Sequence, residues 1–291
     1  FIQYKLDEKF IYLFHGRLTI IDQNNSANQP LITNQNNSIV FNGEIYNFKL
    51  LKIDLQNKYK TLFHTNSDTE VIIKGYEEEG IKFFDKLRGM YAFIIFDNNQ
   101  KKLILATDNQ SIKFLFNYED GQDLIISSEL SIMKNFLNKK LSINTKSIEQ
   151  IISFGSVQEN MSIYNNINKF VPGHIYELKI FENNSFKPID RIFHEYDDSD
   201  INYLLRESFY SEAKSALLFS GGSDSSLLLN EIKKLNLDNL FVSKLLLIEG
   251  DSNQFNIFHN YHEYNLNIDY EEFQNDFLNY SQIIDYPSDD G

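Results

Sequence analysis

Short apolar runs separated by polar turns fill the first part of the chain and predict strands. "FIYLFHGRL" and "SIVFNGEIY" combine β-branched and aromatic residues, which are typical of β-structure. "YAFIIFDNNQKKLILATD" holds two such runs around an Asn-rich turn, and "KFLFNYEDGQDLIISSE" holds two around Asp120-Gly121. Both segments therefore predict β-hairpins.

Helical spacing interrupts these strands at two places. In "SDTEVIIKGYEEEG", Val71, Ile72 and Tyr76 fall on one face of a predicted helix that Asp68 can cap. "NTKSIEQIISFG" predicts a second helix, which Gly155 ends. The strands and the first of these helices indicate an α+β domain, which we assign to residues 1–140. The second helix follows a change in the pattern at about residue 141 and falls in a second domain over residues 141–291.

A different order of elements follows in the second domain. An apolar segment ends at Phe219 and is followed by the polar loop "SGGSDSS". Next comes a helical pattern with Leu228, Ile232 and Leu235 on one side, and then the apolar run "FVSKLLLIEG". Strand, loop, helix and strand in this order predict a parallel βαβ unit with the loop at the carboxyl edge of the sheet.

The small polar residues of this loop suit an anion. Glycines allow close approach of the main chain, and N–H groups at the start of a helix present partial positive charge. The hydroxyls of Ser225 and Ser226 could bond phosphate oxygens, and Asp224 could orient a hydrated Mg²⁺ beside them. A serine-rich helix cap with a glycine turn is the alternative. The candidate anion-binding residues are Ser220, Gly221, Gly222, Asp224, Ser225 and Ser226.

Composition narrows the classes of partner. The chain has 41 acidic and 27 basic residues and a formal net charge of −14, which disfavours nucleic acid and anionic membrane surfaces. No apolar run reaches the roughly 20 residues of a membrane span, so we expect a cytoplasmic protein. Cys is absent, which excludes disulfides, thiolate metal sites and a thiol nucleophile within these residues.

Several motifs together resemble one family. "SGGSDSS" resembles the SGGxDSS pyrophosphate loop of ATP-pyrophosphatases, here placed between a predicted strand and helix. The resemblance implies that the candidate anion-binding residues, together with Leu218 at the end of the preceding strand, bind ATP and its pyrophosphate. Upstream, "HGRLTIID", "FNGEIYN", "NSDTEV" and "LRGMYAFIIFD" resemble, in the same order, the glutaminase half of glutamine-hydrolysing asparagine synthetases. The resemblance implies an N-terminal-nucleophile hydrolase sandwich of α+β class, followed by an α/β nucleotide-binding domain of ATP-pyrophosphatase type with a parallel sheet.

The upstream motifs also have a chemical interpretation. Arg17 offers a planar fork for the α-carboxylate of glutamine, and Asp68 offers a carboxylate for its ammonium group, which Glu44 can assist. Asn42 and the N–H of Gly43 form a donor pair suited to an oxyanion. A surface ion pair, a turn and a helix cap are the alternatives for Arg17, Asn42-Gly43 and Asp68. The predicted glutamine-binding residues are Arg17, Leu18, Thr19, Ile20, Ile21, Asn42, Gly43, Glu44 and Asp68.

The resemblance implies ATP-dependent amidation of aspartate to asparagine. Glutamine supplies the nitrogen, and ATP with Mg²⁺ activates the aspartate carboxylate as a β-aspartyl-adenylate. Glutamine, aspartate and ATP are the implied ligands, and the resemblance leaves a homodimer open. The alternatives are a divergent amidotransferase acting on another carboxylate, as in surface-sugar biosynthesis, and a non-catalytic homologue that retains ligand binding.

The chain departs from the family pattern at both ends and in one loop. The family nucleophile is an N-terminal Cys, so we expect the chain to lack its start, either as a fragment or through genuine loss, and the family continues beyond Gly291. The family's Arg-Asp-x-x-Gly-x-Lys-Pro stretch is represented by "TDNQSIKF", which keeps Asp108 and Lys113 and places Ser111 where the family has Gly. These departures leave the acceptor carboxylate undecided.

Overall fold

The computed structural model describes most of the first two thirds of the chain and selected elements beyond it. The described residues are 1–18, 20–120, 123–137, 141–157, 160–182, 185–192, 215–219, 222–235, 240–246 and 261–265. They fall into two compact units, the first containing those up to Ile192 and the second those from Ser215 to Asn265. We describe each unit by itself.

The first unit combines eleven strands with four helices among its described residues. The strands are β1 (Ile2–Leu6), β2 (Lys9–Leu13), β3 (Leu31–Ile32), β4 (Ser38–Ile45), β5 (Gly89–Asp97), β6 (Lys102–Thr107), β7 (Phe116–Glu119), β8 (Leu124–Ser127), β9 (Ile167–Lys169), β10 (His174–Lys179) and β11 (Lys187–Arg191). The helices are α1 (Phe48–Tyr59), α2 (Asp68–Glu79), α3 (Leu130–Leu137) and α4 (Thr145–Phe154). Two short 3₁₀ segments, Asn25–Ala27 and Gly80–Lys86, complete the unit.

A six-stranded antiparallel sheet, in the order β11-β10-β6-β5-β4-β3, forms the centre of this unit. Strand β5 shows why both faces are covered. Tyr91, Phe93 and Ile95 belong to the core that contains α1 and α2, whereas Ala92 and Ile94 belong to a core on the opposite face. Because side chains alternate along a strand, this nearly all-apolar sequence buries both faces.

The second face of the sheet carries another β layer. Hairpin β1-β2 packs there through Leu13 and its neighbours. A three-stranded sheet in the order β8-β7-β9 contributes Leu124 and Ile126 to the same side. Helices, a central sheet and a second β layer make up the α+β sandwich that the sequence predicts for the first domain.

The local predictions hold with one correction. Strands β5 and β6 form the first predicted hairpin, and β7 and β8 form the second. Asn144 caps α4 and Gly155 ends it in the left-handed conformation. The prediction that Asp68 caps α2 is wrong by one residue, because the Ser67 side chain accepts the capping bond from Thr69 N–H, at 3.1 Å.

The predicted domain boundary at residue 140 does not coincide with the boundary between the units. Strand β10 lies in the segment assigned to the second domain, yet it pairs with β6 from Ile175 to Lys179 in the central sheet. Pairing between segments so distant in sequence leaves no local signal in either one. Residues 141–192, as far as they are described, therefore belong to the first unit.

The second unit contains the predicted parallel elements. Strand β12 (Ser215–Phe219) is followed by helix α5 (Ser223–Leu235), and β12 pairs in parallel with β13 (Leu240–Leu246). Strand β14 (Tyr261–Asn265) extends the sheet on the other side of β13. The predicted βαβ unit is confirmed, and Phe219, Leu229 and Leu217 pack between its strand and helix.

Candidate functional site

One cavity of about 170 Å³ in the first unit brings together the upstream motifs. Three segments supply most of its wall: the stretch after β2, the middle of β4 and the first residues of α2. Its lining residues are His15, Gly16, Arg17, Leu18, Ile20, Ile21, Gln29, Phe41, Asn42, Gly43, Glu44, Ser67, Asp68, Thr69, Met90 and Lys113. Every predicted glutamine-binding residue that the structure describes is in this wall. Thr19 lies outside the described residues.

The edge of β4 that faces the cavity is mostly free of strand pairing, because β3 pairs only with the first two residues of β4. Side chains take over from there. Phe41 N–H donates to Gln29 Oε1 at 2.6 Å, and Ile45 N–H donates to Asp68 Oδ2 at 3.0 Å. Main-chain groups alternate in direction along a strand, so the N–H of Gly43, midway between these two, points to the same edge.

Gly43 is constrained on its other side by β5. It lies opposite Tyr91, whose N–H and carbonyl both bond Asp108, away from β4. Gly43 has φ +143°, and a Cβ there would lie 2.0 Å from the Met90 carbonyl oxygen. Gly89 has the same relation to β4, with its Cβ position 2.0 Å from the Glu44 carbonyl oxygen. Only glycine fits where the two strands approach beside the cavity.

Asp68 is a buried carboxylate held by main-chain donors. Its Oδ1 accepts from Thr69 N–H at 2.9 Å and its Oδ2 from Ile45 N–H. Burial raises the pKa of Asp68 to about 6, and the nearby Glu44 charge adds to the rise, while these two donors oppose it. Burial also raises the pKa of Glu44, which the Lys113 ammonium partly offsets. A cation that enters the cavity would stabilise the ionised forms of both carboxyl groups.

Arg17 lies in the wall, but its terminal nitrogens face the neighbouring loop. Nη1 donates to Asn24 O at 3.2 Å and to Asn28 Oδ1 at 3.1 Å. Nη2 donates to Ile21 O at 2.8 Å and also to the Asp22 carbonyl. The predicted carboxylate fork is therefore occupied by loop oxygens in this conformation, and a ligand carboxylate would have to share or replace these bonds.

Five lining residues with polar side chains were not predicted as site residues, and three of them, His15, Gln29 and Lys113, add new chemistry to the cavity. His15 Nε2 lies 3.0 Å from the Phe41 carbonyl, so it carries the proton, and burial lowers the pKa of this imidazole. Gln29 bonds both Phe41 and Thr69. Lys113 follows β6 and adds a cation beside Glu44. Each lies inside or near a quoted motif, but only the paired arrangement of β4 and α2 shows what it contacts.

The tight loop after β6 places Lys113 at the cavity, and the Asp108 carboxylate fixes the conformation of this loop. The Asp108 carboxylate accepts the N–H groups of Tyr91, Gln110, Ile112 and Lys113 at 3.0–3.1 Å. Asp108 is only 3% exposed. Four main-chain donors on one buried carboxylate fix the loop, which explains why this aspartate is kept in "TDNQSIKF" although the neighbouring residues differ from the family pattern.

Ser111 in this loop is in a conformation that favours glycine, with φ +52°, and its buried hydroxyl has no partner among the described residues. We expect Ser111→Gly to raise the free energy of unfolding by about 0.5–1 kcal/mol, because relief of the left-handed strain exceeds the entropy that glycine adds to the unfolded chain. Urea unfolding would measure this. Asn36→Gly, at φ +60°, is the matched control and should gain less, since Asn tolerates this conformation. An equal gain in both variants would contradict the explanation.

The predicted phosphate loop is described only in part. Leu218 belongs to β12, while Ser220 and Gly221 lie outside the described residues. Asp224, Ser225 and Ser226 fall in the first turn of α5, as the motif requires. The Ser226 N–H and the Ser225 hydroxyl both donate to the Gly222 carbonyl, at 3.0 and 3.1 Å, so these two groups close the first turn of the helix. Anion binding here stays a prediction.

A comparison with known protein families shows which family the cavity-forming segment belongs to. The family of glutamine amidotransferase domains matches residues 3–188, which include the whole cavity wall. The chain belongs to this family. This match, together with the relatives described next, confirms the resemblance to glutamine-hydrolysing asparagine synthetases, and all four upstream motifs lie in the matched segment.

Relatives of this amidotransferase chain carry two kinds of name. Glutamine-hydrolyzing asparagine synthetase 2 of Bacillus subtilis (strain 168) is 37% identical over 188 residues, 62% of this chain and 24% of that protein. Glutamine-hydrolyzing asparagine synthetase 1 of the same organism is 30% identical over 235 residues, 76% of this chain and 36% of that protein. An amidase of Gibberella zeae is 37% identical over 132 residues, 45% of this chain and 19% of that protein.

The matches therefore span between about a fifth and a third of the length of these relatives. In the described part of the amidotransferase chain, no helix is long and apolar enough to cross a membrane. The same residues hold no group of three or more His, Cys, Asp or Glu side chains arranged to bind a metal ion.

Proposed function

We propose that the first unit binds glutamine and stabilises the oxyanion formed when its side-chain amide is cleaved. The observation that carries this is the cavity in which the Gly43 N–H and Asn42 lie beside Asp68 and Glu44. Amide cleavage places negative charge on the former carbonyl oxygen, and fixed donors at that point lower the barrier. Asp68 and Glu44 bind the ammonium group of the free amino acid.

Arg17 binds the α-carboxylate in this proposal, after exchange of some of its loop contacts. The 291 residues contain no Cys, and we assign the nucleophile that attacks the glutamine amide to none of them. What this chain's residues contribute is recognition of both ends of the amino acid and stabilisation of the oxyanion.

Glutamine affinity is expected to fall as the pH drops below 6. Ionised Asp68 attracts the ammonium group, and with a pKa of about 6 the ionised fraction at pH 5 is about one tenth of that at pH 8. We expect about tenfold weaker binding at pH 5 by calorimetry, with proton release on binding near pH 6. Below that pH the protonated carboxyl must ionise before it can pair with glutamine.

Two variants make this pH profile specific. Asp68→Asn should bind glutamine weakly and lose the step near pH 6. Glu44→Gln should keep a step but move it to lower pH, because a like charge beside Asp68 is removed. A profile that is flat in the unmodified protein would reject the ammonium role of Asp68.

We propose further that the protein uses ATP and Mg²⁺ to activate the side-chain carboxylate of aspartate as an adenylate, which ammonia then converts to asparagine. The sequence "SGGSDSS" between β12 and α5 supports this, with Asp224 holding Mg²⁺ through water. The relative named an amidase favours the second candidate, an amidotransferase with another carboxylate as acceptor. A homodimer stays a prediction.

ATP–pyrophosphate exchange separates these candidates. In the protein as its organism makes it, we expect exchange that requires aspartate and is lost in Asp224→Ala. Asn230→Ala, an exposed side chain further along α5 and outside the predicted set, should retain exchange. If a sugar carboxylate supports exchange and aspartate does not, the acceptor is the sugar carboxylate. No exchange with any carboxylate would leave a protein that only binds its ligands.

A further inference from the structure

The Gln29 side chain bonds the edge of β4 at the cavity, where β3 no longer pairs with it. Beyond the end of β3, the main-chain N–H and carbonyl of Phe41 point to an edge without a strand. Gln29 Oε1 accepts the N–H at 2.6 Å, and His15 Nε2 donates to the carbonyl at 3.0 Å. Buried main-chain groups need such partners, and two side chains here supply what a longer β3 would otherwise supply.

The other end of the Gln29 amide reaches helix α2. Its Nε2 donates to Thr69 Oγ1 at 3.2 Å, while the Thr69 N–H bonds the Ser67 hydroxyl and the Asp68 carboxylate. One amide therefore joins the strand that carries the Gly43 N–H to the helix turn that carries Asp68. An amide can do this because it has an acceptor and a donor at fixed separation.

We propose that Gln29 is a positioning residue for glutamine cleavage, which sets the distance between the Gly43 N–H and Asp68. The inference rests on the proposed function. The Asp68 carboxylate already bonds Ile45 N–H on the same strand, so Gln29 supplies the second of two links, one on each side of Gly43. Two links flanking one donor fix its direction, and oxyanion stabilisation depends on that direction.

The amide of Gln29 predicts a specific pattern of kinetics. Gln29→Met keeps the length of the side chain and removes both bonds. Asp68 and Arg17, which hold the amino-acid end, stay in place, so we expect KM to change less than about twofold. The oxyanion donor loses its support, and we expect kcat for glutamine hydrolysis to fall by about 10- to 100-fold.

Four variants of the protein as its organism makes it test this. Gln29→Glu keeps the acceptor for Phe41 N–H and should retain more kcat than Gln29→Met. Thr69→Val removes only the helix-side bond, and combined with Gln29→Met it should add little, since the shared link is already absent. Gln100→Met is the matched control, an exposed glutamine near the β5-β6 turn, and should leave kcat unchanged.

The outcomes separate this inference from the proposed function. A fall in kcat at near-constant KM, with partial recovery in Gln29→Glu, supports the positioning role. Equal kcat in Gln29→Met and the unmodified protein overturns it while leaving glutamine cleavage intact. If Gln29→Met does not fold, Thr69→Val and Gln29→Glu decide, and kcat unchanged in both overturns it. An unmodified protein that binds but does not cleave glutamine overturns the proposed function and this inference together.

Discussion

Gly43→Ala is expected to lower kcat for glutamine cleavage by about 100-fold or more and to destabilise the first unit by roughly 2–6 kcal/mol. The new Cβ would lie 2.0 Å from the Met90 carbonyl oxygen and 2.8 Å from the Tyr91 Cα, both main-chain atoms that cannot rotate away. Strand β4 would have to move from β5, which adds overpacking to the strain of φ +143°, each worth about 1–3 kcal/mol. That movement displaces the N–H that we assign to the oxyanion, and loss of one such donor costs about 100-fold or more in kcat.

Gly80→Ala is the matched control for the backbone strain alone. Gly80 ends α2 at φ +66° and has open space at its Cβ position. We expect it to lose about 1 kcal/mol of stability, by urea unfolding, with unchanged kcat. Gly43→Ala that kept wild-type kcat while folded would remove the Gly43 N–H from the proposed oxyanion site.

The sequence was informative wherever a feature depends on neighbours along the chain. The hairpin turns, the end of α4 at Gly155 and the strand-loop-helix-strand order around "SGGSDSS" all follow from local residue types. The cavity wall was also predictable, because four motifs mark it and each motif lies on one element. Their chemistry followed from the resemblance to a known family and from residue type, without any knowledge of distance.

Features that depend on pairing between distant segments were missed. The domain boundary was placed at residue 140 because nothing in "HIYELK" indicates that it pairs with β6. Nothing in the sequence distinguishes Gln29 from an ordinary loop residue. Its contact with Phe41 arises because the pairing of β3 with β4 ends before Phe41. The orientation of Arg17 toward loop carbonyls is likewise a tertiary effect, since a guanidinium takes whichever oxygens the fold brings to it.

Asp108→Ala is expected to destabilise the first unit by roughly 3–5 kcal/mol and to weaken glutamine binding. The substitution leaves the N–H groups of Tyr91, Gln110, Ile112 and Lys113 without their common acceptor. A buried donor without a partner costs about 1–3 kcal/mol, and partial entry of water keeps the total below the sum of four. Urea unfolding measures the loss, and calorimetry with glutamine measures the weaker binding.

The binding effect follows from the loop rather than from contact between Asp108 and ligand. Lys113 favours the ionised form of Glu44, so without a fixed loop the pKa of Glu44 rises further and the carboxyl group is more often protonated, in which form it cannot pair with the ammonium group of glutamine. Asp108→Asn tests this, because its Oδ1 can still accept from Gln110 and Ile112 while its NH₂ opposes Tyr91 and Lys113. We expect an intermediate loss of stability with most of the loss in affinity. Glu182→Gln, which removes an exposed ion pair with Lys179, should cost less than about 1 kcal/mol. A loss in Asp108→Ala no larger than that control would mean that the loop holds its shape without the carboxylate.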